Sequence, residues 1–223
     1  MRLGVVLPTF TEDATEALAL AARAELAGVD AVMAFDHLWP VGEPARPALA
    51  PLPVLAAVAA RSERLFLGPL VARVGLVSSA HLAGQMRALE RLAPGRVICA
   101  LGTGDAASAA EEAAYGLAAR PPSERRARLE EALVALAGFT ERWCGAGGAE
   151  TNAIARRHGA ALNLWRASPG RVREVAAEGP VTWAGPLEGG EALLDALEHA
   201  GATWAVATRA RDLDVLEGWR TPR

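Results

Sequence analysis

Short apolar runs alternate with helical patterns along the whole of this chain. Seven of the runs have the length and the flanking turn residues of buried strands. These runs lie at 3–8, 31–40 (apolar up to Asp36), 65–71, 96–104, 161–165, 181–185 and 202–208. Helical patterns begin near 13 and cover about 51–62, 79–92, 123–143, 169–178 and 188–200. Because helical crossovers join parallel strands, this spacing predicts an α/β fold with a parallel sheet.

Two architectures fit that order of elements, an open doubly wound sheet and a (β/α) barrel. A full barrel has eight strands and about 250 residues, whereas this chain offers seven strand-like runs in 223 residues. A shortened TIM-type barrel of about seven parallel strands would account for both differences. We expect one domain that spans residues 1–223.

Charge and composition exclude several kinds of function. The net charge is −3 and the isoelectric point about 5.9, so nothing steers the protein to nucleic acid or to an anionic membrane. All 23 basic residues are arginine, which excludes a Schiff-base lysine and the lysine of a phosphate-binding P-loop. Cys99 and Cys144 are too few for a disulfide framework or a structural zinc site. The spacing of the histidines suggests no metal site either.

No stretch of the sequence reads as a membrane span. The longest apolar stretch, at about 48–60, contains Pro51 and Pro53 and is too short to cross a bilayer. The chain enters its first strand without a basic segment or a cleavage site. The sequence therefore predicts a soluble, cytoplasmic protein.

Polar residues and glycines follow the predicted strands at their carboxyl ends, where parallel α/β folds bind ligands. Asp36 and His37 end the second strand, and histidine exchanges a proton near neutral pH. Alternatively, Asp36 caps the next turn and His37 is a satisfied residue of the rim. Gly102 and Gly104 of "GTGD" follow the fourth strand, where exposed N–H groups favour phosphate, although any tight turn uses glycine. "GAGG" at 145–148 follows a helical pattern and is interpreted as a linker.

Five segments of the chain together have the order and spacing of a known family. They are "LGVVLPTF" (3–10), "GVDAVMAFDHLW" (28–39), "LAAVAARSERLFLGPLV" (55–71), "LAGQMRALERLAPGRVICALGTGD" (82–105) and "AAYGLAARPPSERRARLEEAL" (113–133). Taken together, they resemble the luciferase-like monooxygenase superfamily, particularly its branch that uses the deazaflavin coenzyme F-420. The likeness is continuous over about the first 140 residues and then thins to strand order.

The resemblance implies a (β/α) barrel of the bacterial luciferase-like kind, a homodimer, and a deazaflavin or, as second choice, FMN at the carboxyl rim. It implies that His37 takes a proton from a substrate hydroxyl as hydride leaves for the ring. Asp36 would be the orienting or pocket partner of His37, and Trp39 a wall of the substrate pocket. Asp105 stands where some deazaflavin enzymes carry a proton-donating glutamate, from which it differs by one methylene.

The resemblance also implies contacts to the cofactor. A non-proline cis peptide bond, frequent in the family behind the ring, would fall at the end of the third strand, and the "GTG" segment would line the cofactor tail. Family members often carry Gly-Gly or Gly-Ser after strand five to receive phosphate, where this chain has "WRASPG". The expected cofactor-binding residues are Leu70, Val71, Gly102, Thr103, Gly104, Arg166 and Ser168.

These residues leave alternative functions open. The first is a redox enzyme that transfers hydride between a small organic substrate and the cofactor ring, with the protein supplying orientation and proton handling. The second is a degenerate barrel that binds flavin without turnover. The shortened second half favours this second alternative, because family members commonly exceed this length by a third or more and one strand–helix unit is missing from the predicted order. The intact Asp36–His37 pair and "GTGD" argue against it. An unrelated barrel enzyme such as an aldolase is a third, although the lack of lysine counts against the Schiff-base kind.

Overall fold

The computed structural model of the protein describes residues 1–104 and 108–220. The strands in these residues are β1 (Arg2–Val6), β2 (Ala31–Ala34), β3 (Phe66–Pro69), β4 (Ala72–Arg73), β5 (Ile98–Gly102), β6 (Glu141–Gly145), β7 (Ala161–Trp165), β8 (Val181–Gly185) and β9 (Ala202–Ala207). The helices are α1 (Thr15–Leu26), α2 (Pro51–Ala59), α3 (Ser79–Leu92), α4 (Ala109–Ala114), α5 (Pro122–Ala135), α6 (Ala149–Arg157), α7 (Pro169–Ala176), α8 (Gly190–His199) and α9 (Leu213–Arg220).

Local sequence explains where several of the helices begin. Pro51, Pro122 and Pro169 stand at the start of α2, α5 and α7, where the missing N–H costs nothing and the fixed φ suits a helix. Ser78 and Ser168 cap α3 and α7, because each Oγ accepts the backbone N–H three residues later, at 3.2 and 3.3 Å.

The strands form one parallel sheet that curves into a nearly closed barrel, in the order β3-β2-β1-β9-β8-β7-β6-β5-β4. β3 pairs with β2 and β4 pairs with β5, so these two short strands share one position in the wall. The gap in the wall lies between β3 and β5. A parallel bridge between Leu67 and Val97 narrows it, and the N–H of Leu67 donates to the Arg96 carbonyl at 2.8 Å. The nine strands of the described chain therefore fill the eight positions of a TIM-type barrel.

Closure at the bridge depends on a glycine in β3. A Cβ on Gly68 would lie 2.3 Å from the carbonyl oxygen of Ile98 and 2.9 Å from its Cβ. Real Cβ atoms do not approach a backbone oxygen so closely, so only glycine lets β3 and β5 come together here.

Two apolar layers hold the barrel together. The inner layer is made almost entirely by strand residues of alternate sequence position, such as Val6, Met33, Trp143 and Trp204. The other strand residues pack outward against the helices in a larger cluster. Trp143 and Trp204 meet edge to face inside the barrel, with ring centroids 5.4 Å apart. The period of two along each strand is what a barrel wall covered by helices requires.

The predicted barrel is confirmed, but the predicted strand count of about seven is too low. The helix expected over 123–143 ends at Ala135, and residues 141–145 form β6. "ERWCG" pairs in parallel with β5 and β7, with Trp143 facing the inner layer and Cys144 the outer one. The charged pair Glu141–Arg142 hides this alternation in the sequence, so the pattern favours the end of a helix there. No strand–helix unit is missing from the described barrel.

Within residues 1–104 and 108–220, no helix is both long enough and apolar enough to cross a membrane. The same residues contain no group of three or more histidine, cysteine or acidic side chains that could hold a metal ion. Cys99 and Cys144 are free and buried, and burial raises the pKa of both thiols, that of Cys144 to about 12.

Candidate active site

A cavity of about 480 Å³ lies at the carboxyl ends of β2 to β7, on the rim where barrel enzymes place their chemistry. The ends of the second strand and of β5, which are far apart in sequence, converge on it. Its lining residues are Phe35, His37, Val41, Leu70, Val71, Arg73, Gly102, Thr103, Gly104, Ser108, Gly145, Ala146, Gly147 and Trp165. His37 and the "GTG" segment, which the sequence predicted to share a site, are thus brought together.

One wall of the cavity is the junction between β3 and β4. The Leu70–Val71 peptide bond is cis, as the resemblance implied, and both residues line the cavity. A Cβ on Gly102 would lie 2.3 Å from Cγ2 of Val71. Glycine at 102 is therefore what allows β5 to pass behind Val71 without displacing it.

His37 is held by a carboxylate that sequence reasoning did not find. Its Nδ1 lies 2.7 Å from Oε1 of Glu111, a residue of α4 that is only 1% exposed. The second oxygen, Oε2, accepts the backbone N–H of Leu38 at 2.8 Å and Nη2 of Arg73 at 2.9 Å. Glu111 therefore joins the loop after β2, strand β4 and α4 at one buried point.

Asp36 faces the backbone of β4. Its Oδ2 accepts the N–H of Arg73 at 2.9 Å, whereas the carboxylate in contact with the His37 ring is that of Glu111. Burial raises the pKa of the Asp36 carboxyl above its ordinary value of 3.8, and the bond from Arg73 and its charge offset this only in part. The role of Asp36 as the orienting or pocket partner of His37 stays a prediction, although the contact to Nδ1 of the ring is made by Glu111.

Replacing Asp36 with asparagine is expected to increase the free energy of unfolding at pH 7. A carboxyl whose pKa is raised in the folded state favours folding when protonated, and this contribution is lost as pH rises from 3.8 through the folded-state value. The substituted amide keeps an oxygen for the Arg73 N–H without the charge. Urea titrations across the acid range should therefore show a gain at pH 7 that shrinks toward pH 4.

Asp13→Asn is the matched control for that experiment. Hydrogen bonds from Thr15 lower the pKa of the exposed Asp13 carboxyl, so its ionised form stabilises the fold above 3.8 and that contribution is lost as pH falls. Asp13→Asn should therefore give no gain at pH 7. A loss of stability at pH 7 in Asp36→Asn would contradict the account of Asp36.

Aromatic side chains form the outer wall beside His37. Phe35 stacks on Phe10 with centroids 5.8 Å apart and meets Trp165 edge-on at 6.1 Å. Trp165, the last residue of β7, is 55% exposed at the mouth. Trp39 is half-buried and is not among the lining residues of the described chain, so its place in the substrate pocket stays a prediction.

The loop after β6 lines the cavity where the sequence suggested a linker. Gly145 ends the strand, and Gly147 and Gly148 lead into α6. The N–H of Gly147 donates to Oδ1 of Asn152 at 3.0 Å, and a Cβ on Gly147 would come within 3.3 Å of Thr151. With β6 counted, a Gly-Gly pair follows the fifth barrel position, where the resemblance places the receiver of cofactor phosphate.

Arg166 and Ser168, the residues expected in that role, follow the sixth position instead. Both are exposed and neither lines the described cavity. The Ser168 hydroxyl caps α7, and Arg166 has a left-handed backbone with φ of 51°. The sequence pattern places them at the fifth position because it hides β6, and their contact with phosphate stays a prediction.

A second pocket of about 310 Å³ continues from the first, since Thr103 and Gly104 line both. Its other lining residues are Arg120, Pro122, Arg125, Arg126 and Thr151. Each of the three arginines forms an ion pair with a glutamate. The nitrogen–oxygen distances are 3.1 Å for Arg120, 3.8 Å for Arg125 and 2.7 Å for Arg126. Asp105 lies outside the described residues, so the proton-donating role that the resemblance suggests for it stays a prediction.

Comparison with known proteins agrees with this geometry. A family model described as luciferase-like monooxygenase matches residues 1–203. F420-dependent glucose-6-phosphate dehydrogenases from Beutenbergia cavernae and Nakamurella multipartita are 38% identical over 129 residues and 37% over 115. Those alignments cover 57% and 51% of this chain but only 37% and 33% of the relatives, so the chain spans about a third of their length.

Solved structures share the fold at low identity. An F420-dependent secondary alcohol dehydrogenase, solved with an F420–acetone adduct, superposes with a TM-score of 0.78 at 14% identity and covers 97% of both chains. The coenzyme F420-dependent tetrahydromethanopterin reductase from Methanopyrus kandleri gives 0.72 at 13% identity, again over 97% of both chains. Because the family model covers most of the chain and the barrel agrees with it, this protein belongs to the luciferase-like monooxygenase family.

Proposed function

We propose that the protein is a coenzyme F420-dependent oxidoreductase that transfers hydride between a small organic substrate and the cofactor ring. The observation that carries the proposal is the convergence of His37, the Leu70–Val71 bond and the "GTG" segment on one cavity. The names of the relatives favour F420 over FMN, which is the second choice. A single barrel domain and a homodimer are part of the same proposal, on the strength of the resemblance.

The cavity suits a flat ring carrying an anionic tail. Gly102 and Val71 pack against each other in the wall of the cavity only because residue 102 has no Cβ. The edge along Gly145 and Gly147 also presents backbone without side chains, at the start of α6, where a helix N-terminus favours phosphate. We propose that Gly147 and Gly148 receive the cofactor phosphate and that the adjoining arginine-lined pocket accepts the rest of the tail.

His37 supplies the proton handling. When bound, the deazaflavin ring would provide the hydride acceptor or donor. His37 lines the cavity with its side chain 24% exposed, and it takes the hydroxyl proton of an alcohol that is oxidised to a carbonyl. The aromatic wall of Phe35 and Trp165 contacts the body of the substrate.

The proposal extends to the kind of substrate the described cavity admits. Its lining contains one cation, Arg73, which is buried and bound to Glu111. A sugar phosphate would find no accessible positive charge beside His37 in these residues, unlike an uncharged alcohol or ketone. The glucose 6-phosphate of the relatives' names is therefore not carried over to this chain.

Binding tests this proposal most directly. We expect purified protein to quench the fluorescence of coenzyme F420 on titration, with a dissociation constant of about 1–10 μM (roughly −7 to −8 kcal/mol) and weaker binding of FMN. Gly102→Ala should weaken binding by about tenfold or more, because its Cβ displaces Val71. Gly84→Ala, with open space around the added atom, should bind as the wild type does.

The outcomes separate the alternatives. Failure of both F420 and FMN to bind would end the enzyme proposal. Binding with no reduction of F420 by any of a panel of alcohols would favour the non-catalytic flavin-binding barrel, although all eight barrel positions are now accounted for. Equal binding of Gly102→Ala would remove that wall of the cavity from the cofactor site.

A further inference from the structure

We infer that Glu111 is a positioning residue for His37, which fixes the ring so that Nδ1 carries a proton and Nε2 is free to accept one. The inference rests on the proposed function, because it gives His37 the part of a base. Glu111 lies 74 residues from His37 along the chain, and no pattern in the sequence connects them.

The two oxygens of Glu111 are used differently. Oε1 faces His37 Nδ1 at 2.7 Å, whereas Oε2 accepts both the Leu38 N–H and Arg73 Nη2. The Arg73 guanidinium lies 2.9 Å away and is almost completely buried with it, so the pair compensates the charge that burial would otherwise penalise. Glu111 is thereby anchored independently of the histidine, with one oxygen left to orient the ring.

A carboxylate beside Nδ1 selects the tautomer. A carboxylate oxygen only accepts hydrogen bonds, so the contact at 2.7 Å requires the proton to be on Nδ1. The lone pair of the neutral ring is then on Nε2, for which no bond is found within residues 1–104 and 108–220. When Nε2 takes a substrate proton, the imidazolium forms next to Glu111, which stabilises the charge and stays ionised.

Other charged groups around the ring do not replace Glu111. Asp36, at the end of β2, is bonded to the backbone of β4, and Arg73 is bonded to Glu111. Tyr115 follows α4, and burial together with the carboxylates of Asp36 and Glu111 raises the pKa of its hydroxyl, so it stays neutral at working pH. Glu111 is therefore the group with a direct contact to Nδ1 in the described chain.

The test combines turnover with a spectroscopic signature. In ¹⁵N-histidine-labelled protein near pH 8, the His37 signals, assigned by their loss in His37→Ala, should show protonated Nδ1 and unprotonated Nε2. In Glu111→Gln, the amide can donate to Nδ1, so a large share of the ring should move to the opposite tautomer. With a substrate in hand, kcat should fall by about tenfold or more, with little change in F420 affinity.

Glu130→Gln is the matched control. Glu130 also binds a histidine, since His158 Nε2 lies 3.1 Å from Oε1, but the pair lies outside the cavity. This variant should keep wild-type turnover and the wild-type His37 signals. Its behaviour separates a local effect at His37 from the general effect of losing a glutamate.

The possible results are decisive in both directions. Protonated Nε2 in the wild-type protein would overturn the inference even if Glu111→Gln fails to fold. Loss of turnover in Glu111→Gln without a change of tautomer would also overturn it, because Glu111 would then act only through the fold. If no substrate is turned over at all, the proposed function fails, while the tautomer measurement still decides the role of Glu111.

Discussion

His37→Ala is expected to bind coenzyme F420 within about threefold of the wild-type affinity (under about 1 kcal/mol) and to lose nearly all turnover. His37 is one of many residues that line the cavity, so removing its ring leaves most of the contact surface in place. Loss of a general base lowers a rate by about 10²- to 10⁴-fold. Fluorescence titration and F420 reduction with the same substrate measure the two quantities separately.

His158→Ala is the natural control, because it removes another glutamate-bound histidine at a distance from the cavity. It should change neither quantity. Wild-type turnover in His37→Ala would exclude His37 as the base and restore the simpler interpretation of a hydrogen-bonded rim residue. Loss of binding together with turnover would show that the histidine shapes the pocket instead of reacting in it.

Gly68→Ala should be the most destabilising single-methyl change in the described barrel. Its Cβ would lie 2.3 Å from the Ile98 carbonyl oxygen, and that backbone is fixed because Ile98 also pairs with Glu141 of β6. We expect the free energy of unfolding to fall by about 3 kcal/mol, the upper part of the usual range for overpacking. Urea unfolding followed by circular dichroism measures the loss.

Gly84→Ala supplies the comparison. Gly84 is an exposed residue inside α3 with no heavy atom within 4 Å of an added Cβ, so alanine should raise stability by up to about 1 kcal/mol. Equal stability of Gly68→Ala and the wild type would mean that β3 and β5 do not approach as described. The barrel would then be open at that point.

The sequence predicted those parts of the site that depend on strand ends. Parallel strands deliver their carboxyl ends to one rim, so His37 and Gly104 could be placed in a common site from their positions after two apolar runs. The Leu70–Val71 bond was expected from family resemblance alone. No argument from composition or periodicity would have located it.

The parts that escaped prediction depend on distant contacts or on an obscured pattern. Glu111 sits in a six-residue helix whose sequence, "AAEEAA", has no feature that distinguishes it from its neighbour Glu112. Its contact with His37 forms only when the barrel brings α4 against the loop after β2. The strand β6 was not predicted because its first two residues are charged and only two apolar residues, Trp143 and Cys144, follow them. Because of that single omission, the sequence placed the expected phosphate-binding residues one barrel position later, at Arg166, than the Gly147 loop that we propose.

The half-exposed indole of Trp165 would give the entrance of the cavity a preference for apolar ligands. A ligand that covers this ring releases water from it and gains about 25 cal/mol for each Å² of hydrocarbon taken out of solvent. Two alcohols with the same reacting carbon would then differ in KM according to how much apolar surface each buries against the indole. Selectivity among the proposed substrates would then depend on contacts at the entrance of the cavity, independently of the proton and hydride steps beside His37.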